Sequence, residues 1–176
     1  MGRPRWPRRH AVDTRVTVTA MANPALTALD HSGLPYRVIR HGPVASLAEA
    51  AAARAVEVPD VVKTIVVRRG EGDLLFVLAP GGRVISWLKL RALLGVSRLS
   101  MPDAAAAKDA TGYARGTITP FGSSTAWPVV ADERLRGREI TLGAGEHGLA
   151  VAVDADTALA ALDATVADVT DEEPTR

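Results

Sequence analysis

A lysine within an otherwise apolar strand is the first residue with clear chemical potential. In the run Val61–Val67 every residue except Lys63 is β-branched, which predicts a β-strand. Because side chains alternate along a strand, Lys63 shares a face with Ile65 and Val67. A buried ammonium loses hydration and needs a partner or a water-filled cleft. Lys63 is therefore either a cation that binds an anionic or carbonyl group of a ligand, or an edge-strand lysine that blocks aggregation or extends into water.

Two glycine-containing segments are further candidates. Segment 112–122, GYARGTITPFG, carries three glycines and one proline. Such a loop can bring backbone amides close to a carbonyl oxygen or a phosphate, although a bulged hairpin has the same composition. It is neither a GxGxxG fingerprint nor a Walker loop. Segment 143–146, GAGE, allows the close approach of a ligand or forms an ordinary turn.

The fourth candidate is a basic stretch. Residues 74–102 contain no Asp or Glu, and their basic residues are Arg83, Lys89, Arg91 and Arg98. Cations without a local acid suit contacts to phosphates, and an ordinary solvated helix face is the alternative. The apolar residues of the predicted helix from Trp87 fall on one face, so we expect Lys89 and Arg91 to face solvent.

Composition excludes several kinds of chemistry. The chain has no cysteine, so disulfides, Cys-ligated zinc, iron–sulfur clusters and thiol catalysis are excluded. Its histidines lack HxH or HxxxH spacing, and neither paired carboxylates nor a GxSxG motif is present. We therefore expect no metal and no cofactor. No apolar run approaches the roughly 20 residues of a membrane span, so we expect no membrane partner.

Length and charge suggest one domain with charged ends. A chain of 176 residues fits one domain. Residues 1–20 are basic and residues 163–176 acidic, which predicts solvated tails. Residues 1–20 are either a disordered basic extension or a misassigned start; a start at Met21 is favoured because Asn23 and Pro24 can open a helix. We expect the domain to span residues 21–170, followed by an acidic tail at 171–176.

The elements that would position these residues alternate irregularly. Helices are predicted near 23–31, 46–56, 87–94, 103–110 and 154–162, the second from a Ser46–Glu49 capping box. Strands are predicted near 36–40, 61–69, 74–79, 84–85, 113–118, 127–130, 139–142 and 149–153. No regular βαβ run occurs, so this order predicts an α/β domain with a mixed or antiparallel sheet and helices packed on it.

Three segments in order give the chain a resemblance to a known family. They are VKTIV at 62–66, TGY at 111–113 leading into GTITPFG at 116–122, and GAG at 143–145. Over about residues 23–170 the chain resembles the YbaK family, also called the prolyl-tRNA synthetase-associated or bacterial editing domain family. The resemblance implies a compact single domain around a curved, mixed and largely antiparallel sheet. It also implies a cytoplasmic deacylase acting in trans, which hydrolyses the ester of mischarged tRNA with an aminoacyl-tRNA synthetase as a second partner to test.

The resemblance also implies roles for individual residues. Lys63 corresponds to the family's functional lysine and would hold the terminal nucleotide or the acyl carbonyl. The substrate's own ribose hydroxyl or amino group would assist the attacking water. Implied substrate-binding residues are Thr64, Gly116, Thr117, Ile118, Thr119, Pro120, Gly143, Ala144 and Gly145. Lys89, Arg91 and Arg98 would meet the acceptor stem of tRNA.

Two details and two alternatives accompany this interpretation. Strand alternation directs Thr64 away from the Lys63 face, and Glu146 stands where family members often carry a basic residue. A non-catalytic module that binds the tRNA 3′ end or a nucleotide would need the same lysine and loop. A structural domain without a pocket is the third reading. The sequence identifies neither the amino acid nor the tRNA.

Overall fold

The computed structural model describes residues 23–175, so the expectations for residues 1–20 and for Met21 lie outside the described residues. The helices are α1 (Pro24–Ser32), α2 (Leu47–Arg54), α3 (Trp87–Leu94), α4 (Ala104–Thr111) and α5 (Ala155–Ala161). The strands are β1 (Tyr36–Arg40), β2 (Val62–Gly70), β3 (Asp73–Pro80), β4 (Arg83–Ile85), β5 (Val129–Asp132), β6 (Glu139–Gly143), β7 (Leu149–Asp154), β8 (Thr165–Ala167) and β9 (Thr170–Glu172). Short 3-10 helices span Val58–Asp60 and Glu133–Leu135.

The helices begin where the sequence supplies a capping side chain. The caps are Asn23, Ser46, Ser86, Asp103 and Asp154. Each accepts a bond from a first-turn amide, a contact typically worth about 1 kcal/mol. At α2 the hydroxyl of Ser46 accepts from the Glu49 amide at 3.1 Å, but the Glu49 carboxylate accepts from Ala45 N at 2.7 Å. The capping box is therefore present, but the Glu49 side chain binds the amide of Ala45, one residue before the cap, instead of the amide of Ser46.

The strands form three sheets. One is antiparallel, in the order β1-β7-β6; the second is mixed, in the order β2-β3-β5-β8; the third pairs β4 with β9. The β3–β5 and β5–β8 pairs are parallel, and the remaining pairs are antiparallel. A single parallel bridge between Val61 and Thr141 connects the first two sheets. The prediction of an α/β fold with largely antiparallel pairing is confirmed.

The apolar alternation of β2 separates two core layers. Val62 and Val66 face the main core, which β6, β7 and helices α1, α4 and α5 complete. Val67 belongs to a second cluster on the opposite face of the mixed sheet, together with Leu90 of α3. The faces predicted from alternation are therefore those observed, and Thr64 points to the main-core side, away from the Lys63 face.

The structure differs from the sequence-based prediction at two places. The strand expected at 113–118 is wrong: this segment is a loop, because Gly112 and Gly116 take positive φ of 81° and 88° and interrupt an extended chain. Strands β8 and β9 were not predicted, since each has only three residues. Strand β9 includes Asp171 and Glu172, so regular pairing continues past the boundary expected at residue 170.

A buried carboxylate attaches the C-terminal segment to the mixed sheet. Asp132 has no exposed surface, and it accepts bonds from Arg134 N at 3.0 Å, Thr170 Oγ1 at 2.8 Å and Val169 N at 3.2 Å. Burial alone would raise the pKa of Asp132, but these donors stabilise its charged form and bring the pKa below the ordinary value. The ionised carboxylate therefore contributes to stability.

This arrangement leads to a pH-dependent stability. A depressed folded pKa stabilises the fold above about pH 4, and the contribution disappears as the pH falls through the folded pKa. We expect Asp132→Asn to lower the free energy of unfolding at neutral pH by about 1.5–3 kcal/mol, because bonds to a charged acceptor are lost. The variant should also lose less stability than the parent between neutral and acidic pH. Urea unfolding across that range measures both effects, with the exposed Asp109→Asn as control; equal effects of the two substitutions would contradict the expectation.

Candidate active site

A cleft opens where the two larger sheets diverge. Strands β2 and β6 are edge strands of their sheets, and the Val61–Thr141 bridge holds them together at one end. Beyond this bridge they enclose a volume of about 240 Å³. The lining residues are Arg54, Val61, Val62, Lys63, Thr64, Gly116, Ile118 and Gly143. The structure thus brings Lys63 together with members of both glycine-containing segments, although they are 53 to 80 residues apart in sequence.

Lys63 is half-buried and is oriented by a backbone group. Its Nζ donates to the carbonyl oxygen of Arg83 at the start of β4. The Arg83 guanidinium in turn donates to the hydroxyl of Thr170 at 2.7 Å. An ammonium has three donors, and Lys63 uses one of them within residues 23–175. The remaining donors are available to a ligand.

Arg54 is a second cation in the cleft and was missed in the sequence. It ends an alanine-rich helix, where a basic residue is common because of the helix dipole, so the pattern gave no signal of a site. Its Nη1 donates to Thr141 Oγ1 at 3.1 Å. Burial lowers the pKa of Arg54. None of the lining residues is acidic, so the described part of the cleft is positively charged.

Several internal hydrogen bonds hold the 112–122 loop in its shape. The hydroxyl of Tyr113 donates to the carbonyl of Phe121 at 2.7 Å, and burial raises the pKa of Tyr113 to about 12. Thr117 donates to the Ala114 carbonyl through both its amide and its hydroxyl. The amides of Gly116 and Ile118, by contrast, have no acceptor within residues 23–175 and belong to residues that line the cleft. Among the unbonded amides of the loop, these two are therefore the candidates to bind a ligand's oxygen in the cleft.

Gly143 and Gly145 are the two glycines of the late turn at residues 143–146, and each serves a different structural purpose. A Cβ added at Gly143 would lie 3.7 Å from the carbonyl oxygen of Ile118, an ordinary contact, but it would occupy cleft space. Gly145 has φ of 85°, and a Cβ there would come within 2.7 Å of the Tyr113 ring. Its amide is already bonded to the Thr117 carbonyl at 2.9 Å. Gly143 therefore shapes the cleft, whereas Gly145 packs the turn against the loop.

The remaining predicted substrate-binding residues do not line the cleft. Thr117, Thr119 and Ala144 are buried within the loop and core. Pro120 lines a different cavity of about 440 Å³, next to Trp127 and Leu162. Glu146, where a basic residue was expected from the resemblance, accepts a bond from the Asn23 side-chain amide at 2.7 Å. These residues therefore contribute no surface to the cleft.

The cations of the basic stretch at 74–102 are only partly free of acidic partners. Lys89 was expected to face solvent without a neighbouring acid, but its Nζ lies 3.1 Å from Asp168 and 3.0 Å from Asp171. Hydrogen bonds to Asp171 and Asp168 raise the pKa of Lys89. Arg91 and Arg98 have no ion pair with any residue between 23 and 175. The acids that neutralise Lys89 are far away in sequence, which is why the local count missed them.

Residues 23–175 offer no candidate for a metal site or for a membrane-spanning helix. No three side chains of the metal-binding types lie close enough together there to hold a metal ion. None of the described helices has the length and apolar character needed to cross a membrane.

Comparison with known families identifies the domain. Residues 41–159 match the model of the aminoacyl-tRNA editing domain. This chain belongs to the aminoacyl-tRNA editing domain family. The match contains all three segments on which the YbaK resemblance was based, so that resemblance is confirmed. A search of curated proteins finds no match to this editing domain.

Solved structures share the editing domain's fold along its length. The crystal structure of hypothetical protein APE2540 has 26% identity and a TM-score of 0.77, covering 84% of this chain and 99% of its own. A candidate trans-editing enzyme for prolyl tRNA synthetase has 27% identity and a TM-score of 0.77, covering 88% of this chain and 100% of its own. A Marinobacter aquaeolei signal transduction protein, at 16% identity and a TM-score of 0.63, shares the fold alone.

The two glycines of the late turn should respond differently to alanine. We expect Gly143→Ala to keep the parent's melting temperature, because its Cβ makes only an ordinary contact. Gly145→Ala should lose at least about 1–2 kcal/mol from its left-handed backbone alone, and more from the Tyr113 contact. Thermal and urea unfolding of the two variants measure the difference. Equal stabilities would show that the turn is not packed against Tyr113 in this way.

Proposed function

We propose that this editing-domain protein is a deacylase that acts in trans and hydrolyses the ester of mischarged aminoacyl-tRNA. The observation that carries the proposal is Lys63 in a positively charged cleft, beside two unbonded amides of a rigid loop. The likeness to a candidate trans-editing enzyme for prolyl tRNA synthetase, over the whole of that chain, supports action in trans. It also makes tRNA charged by prolyl-tRNA synthetase the first substrate to test, and such a substrate would place the protein in the cytoplasm.

The proposed chemistry is ester hydrolysis by positioning. Water adds to the acyl carbon, the bond from that carbon to the ribose oxygen breaks, and the products are a free amino acid and a restored ribose hydroxyl. The amides of Gly116 and Ile118 are placed to donate to the carbonyl oxygen as it gains charge. Lys63 donates to the terminal nucleotide or to the same carbonyl.

The proton acceptor is proposed to come from the substrate. The lining residues of the cleft include no carboxylate and no imidazole, and Lys63 and Arg54 act there as hydrogen-bond donors. The neighbouring ribose hydroxyl or the amino group of the substrate then assists the water. This division of roles agrees with a site whose own polar groups are donors.

Lys63 should be needed for turnover and not for folding. We expect Lys63→Ala to lower kcat/KM by at least about 100-fold, the usual loss for a donor to a developing charge. Its melting temperature should stay close to the parent's, because Lys63 is half-buried and makes one hydrogen bond within residues 23–175, to the Arg83 carbonyl. The assay uses tRNA carrying alanine, cysteine, serine or proline, and Lys108→Ala, on the exposed face of α4, is the matched control.

The outcomes of this assay distinguish the deacylase from a structural role of Lys63 and from a non-catalytic binding module. Loss of activity in step with loss of stability would make Lys63 structural. Binding of aminoacyl-tRNA by the parent protein without hydrolysis of any ester would instead favour the non-catalytic module that binds the tRNA 3′ end.

Binding of the tRNA acceptor stem should depend on the unpaired cations. We expect the double substitution of Arg91 and Arg98 by alanine to weaken tRNA binding and to reduce its salt dependence, because each phosphate contact releases counterions. Lys89→Ala should have a smaller effect, since Asp168 and Asp171 already neutralise this lysine. Titrations at several salt concentrations measure both slopes; an unchanged slope in the double variant would remove this surface from the proposal.

A further inference from the structure

Arg54, the second cation of the cleft, has no role in the proposed reaction, and its surroundings indicate a separate one. The Nε atom of Arg54 is fully buried and has no hydrogen-bond partner within residues 23–175. Thr64, another residue that lines the cleft, has a buried hydroxyl oxygen that is also without a partner among those residues. A buried donor without an acceptor normally costs free energy, about 1–3 kcal/mol and more when the group is charged. Two such atoms in residues of one cleft point to a ligand that completes their bonding.

The positive charge of Arg54 also has no acidic partner within residues 23–175. By contrast, Arg69, Arg134 and Arg138 each form an ion pair with a carboxylate. Arg54 has only the neutral hydroxyl of Thr141, at 3.1 Å from Nη1. Within residues 23–175, the cleft offers it no acidic neighbour and adds a second cation, Lys63.

The position of Arg54 at the end of α2 does not account for this arrangement. A cation there gains from the helix dipole, typically 0.3–1 kcal/mol at an exposed site. That gain needs only proximity to the last turn, and a solvated side chain would obtain it. Instead the guanidinium reaches across to β6 and places Nε inside the protein. Its burial therefore serves the cleft rather than the helix.

We propose that Arg54, assisted by the Thr64 hydroxyl, is an anion-binding subsite of the cleft, separate from the donors of Lys63. This deepens the proposed function, since the ligand is the charged end of an aminoacyl-tRNA. Two groups of that molecule have the required chemistry: the terminal phosphodiester and a carboxylate on the acyl side chain. The guanidinium fork suits either one, because both present two oxygens.

Hydrolysis-resistant ligands test the subsite without turnover. The probes are 3′-amino-3′-deoxyadenosine carrying amide-linked asparagine or aspartate, each with and without a 5′-phosphate. Asparagine and aspartate match in shape and differ in charge, so each pair isolates one anion. Calorimetric Kd values are compared for the parent, Arg54→Met, Arg54→Lys and the control Arg40→Met. Arg40 lies exposed on β1, at the far edge of the antiparallel sheet from β6.

The expected result is a gain in affinity from one anion that depends on Arg54. The parent and Arg40→Met should bind one charged probe about 10- to 100-fold more tightly than its neutral match, as for hydrogen bonds to charged groups. Arg54→Met should lose this gain while binding the neutral probe unchanged, and Arg54→Lys should keep part of it. A gain with the 5′-phosphate identifies the phosphodiester, and a gain with aspartate identifies the acyl carboxylate.

Other outcomes overturn the subsite. If the parent binds all four probes equally, or if Arg54→Met keeps the full gain, Arg54 does not bind an anion. Should Arg54→Met fail to fold, Arg54→Gln replaces it, because the amide retains a donor for Thr141 without the charge. Since the readout is binding, an Arg54-dependent gain in a protein that hydrolyses no ester would defeat the deacylase proposal and leave the subsite standing.

Discussion

The cleft lies where the backbone pairing between two sheets is limited to a single bridge. The bridge joins Val61 to Thr141, and just beyond it Lys63 and Thr64 of one sheet and Gly143 of the other line a recess instead of continuing the pairing. An edge strand that stops pairing exposes polar backbone and side-chain groups. Here those groups line a recess of the protein, and the rest of the site is arranged around them.

The cations of the cleft differ in their partners from several cations elsewhere in the protein. Away from the cleft, some basic side chains are paired with acids, including Lys89 with Asp168 and Asp171. In the described part of the cleft, cations have only neutral oxygen partners: the carbonyl of Arg83 and the hydroxyl of Thr141. Neutral acceptors orient a cation without cancelling its field, so the site keeps its attraction for negative charge. Since these partners come from β4 and β6, the field depends on how the sheets are assembled.

Local signals predicted much of the fold but only part of the site. The β-branched run around Lys63 and the capping residues acted over a few positions, so helices and strands such as α3 and β2 were predictable. The segment after Gly112 was not, because its β-branched residues suggested a strand while two glycines with positive φ imposed a loop. Arg54 and the Lys89 acids escaped for a different reason: their roles depend on contacts 79 to 87 residues apart, which single-sequence patterns do not contain.

The rigidity of the loop explains how few groups the site needs. Tyr113, Thr117 and Gly145 use their polar groups to hold the loop together, which leaves the amides of Gly116 and Ile118 unbonded toward the cleft. Donors held in place before the ligand arrives lose little entropy on binding, so they stabilise developing charge more effectively than mobile side chains. Residues such as Tyr113 and Gly145 therefore contribute to the site through the shape of the loop, and in the proposed deacylation they would act without meeting the substrate.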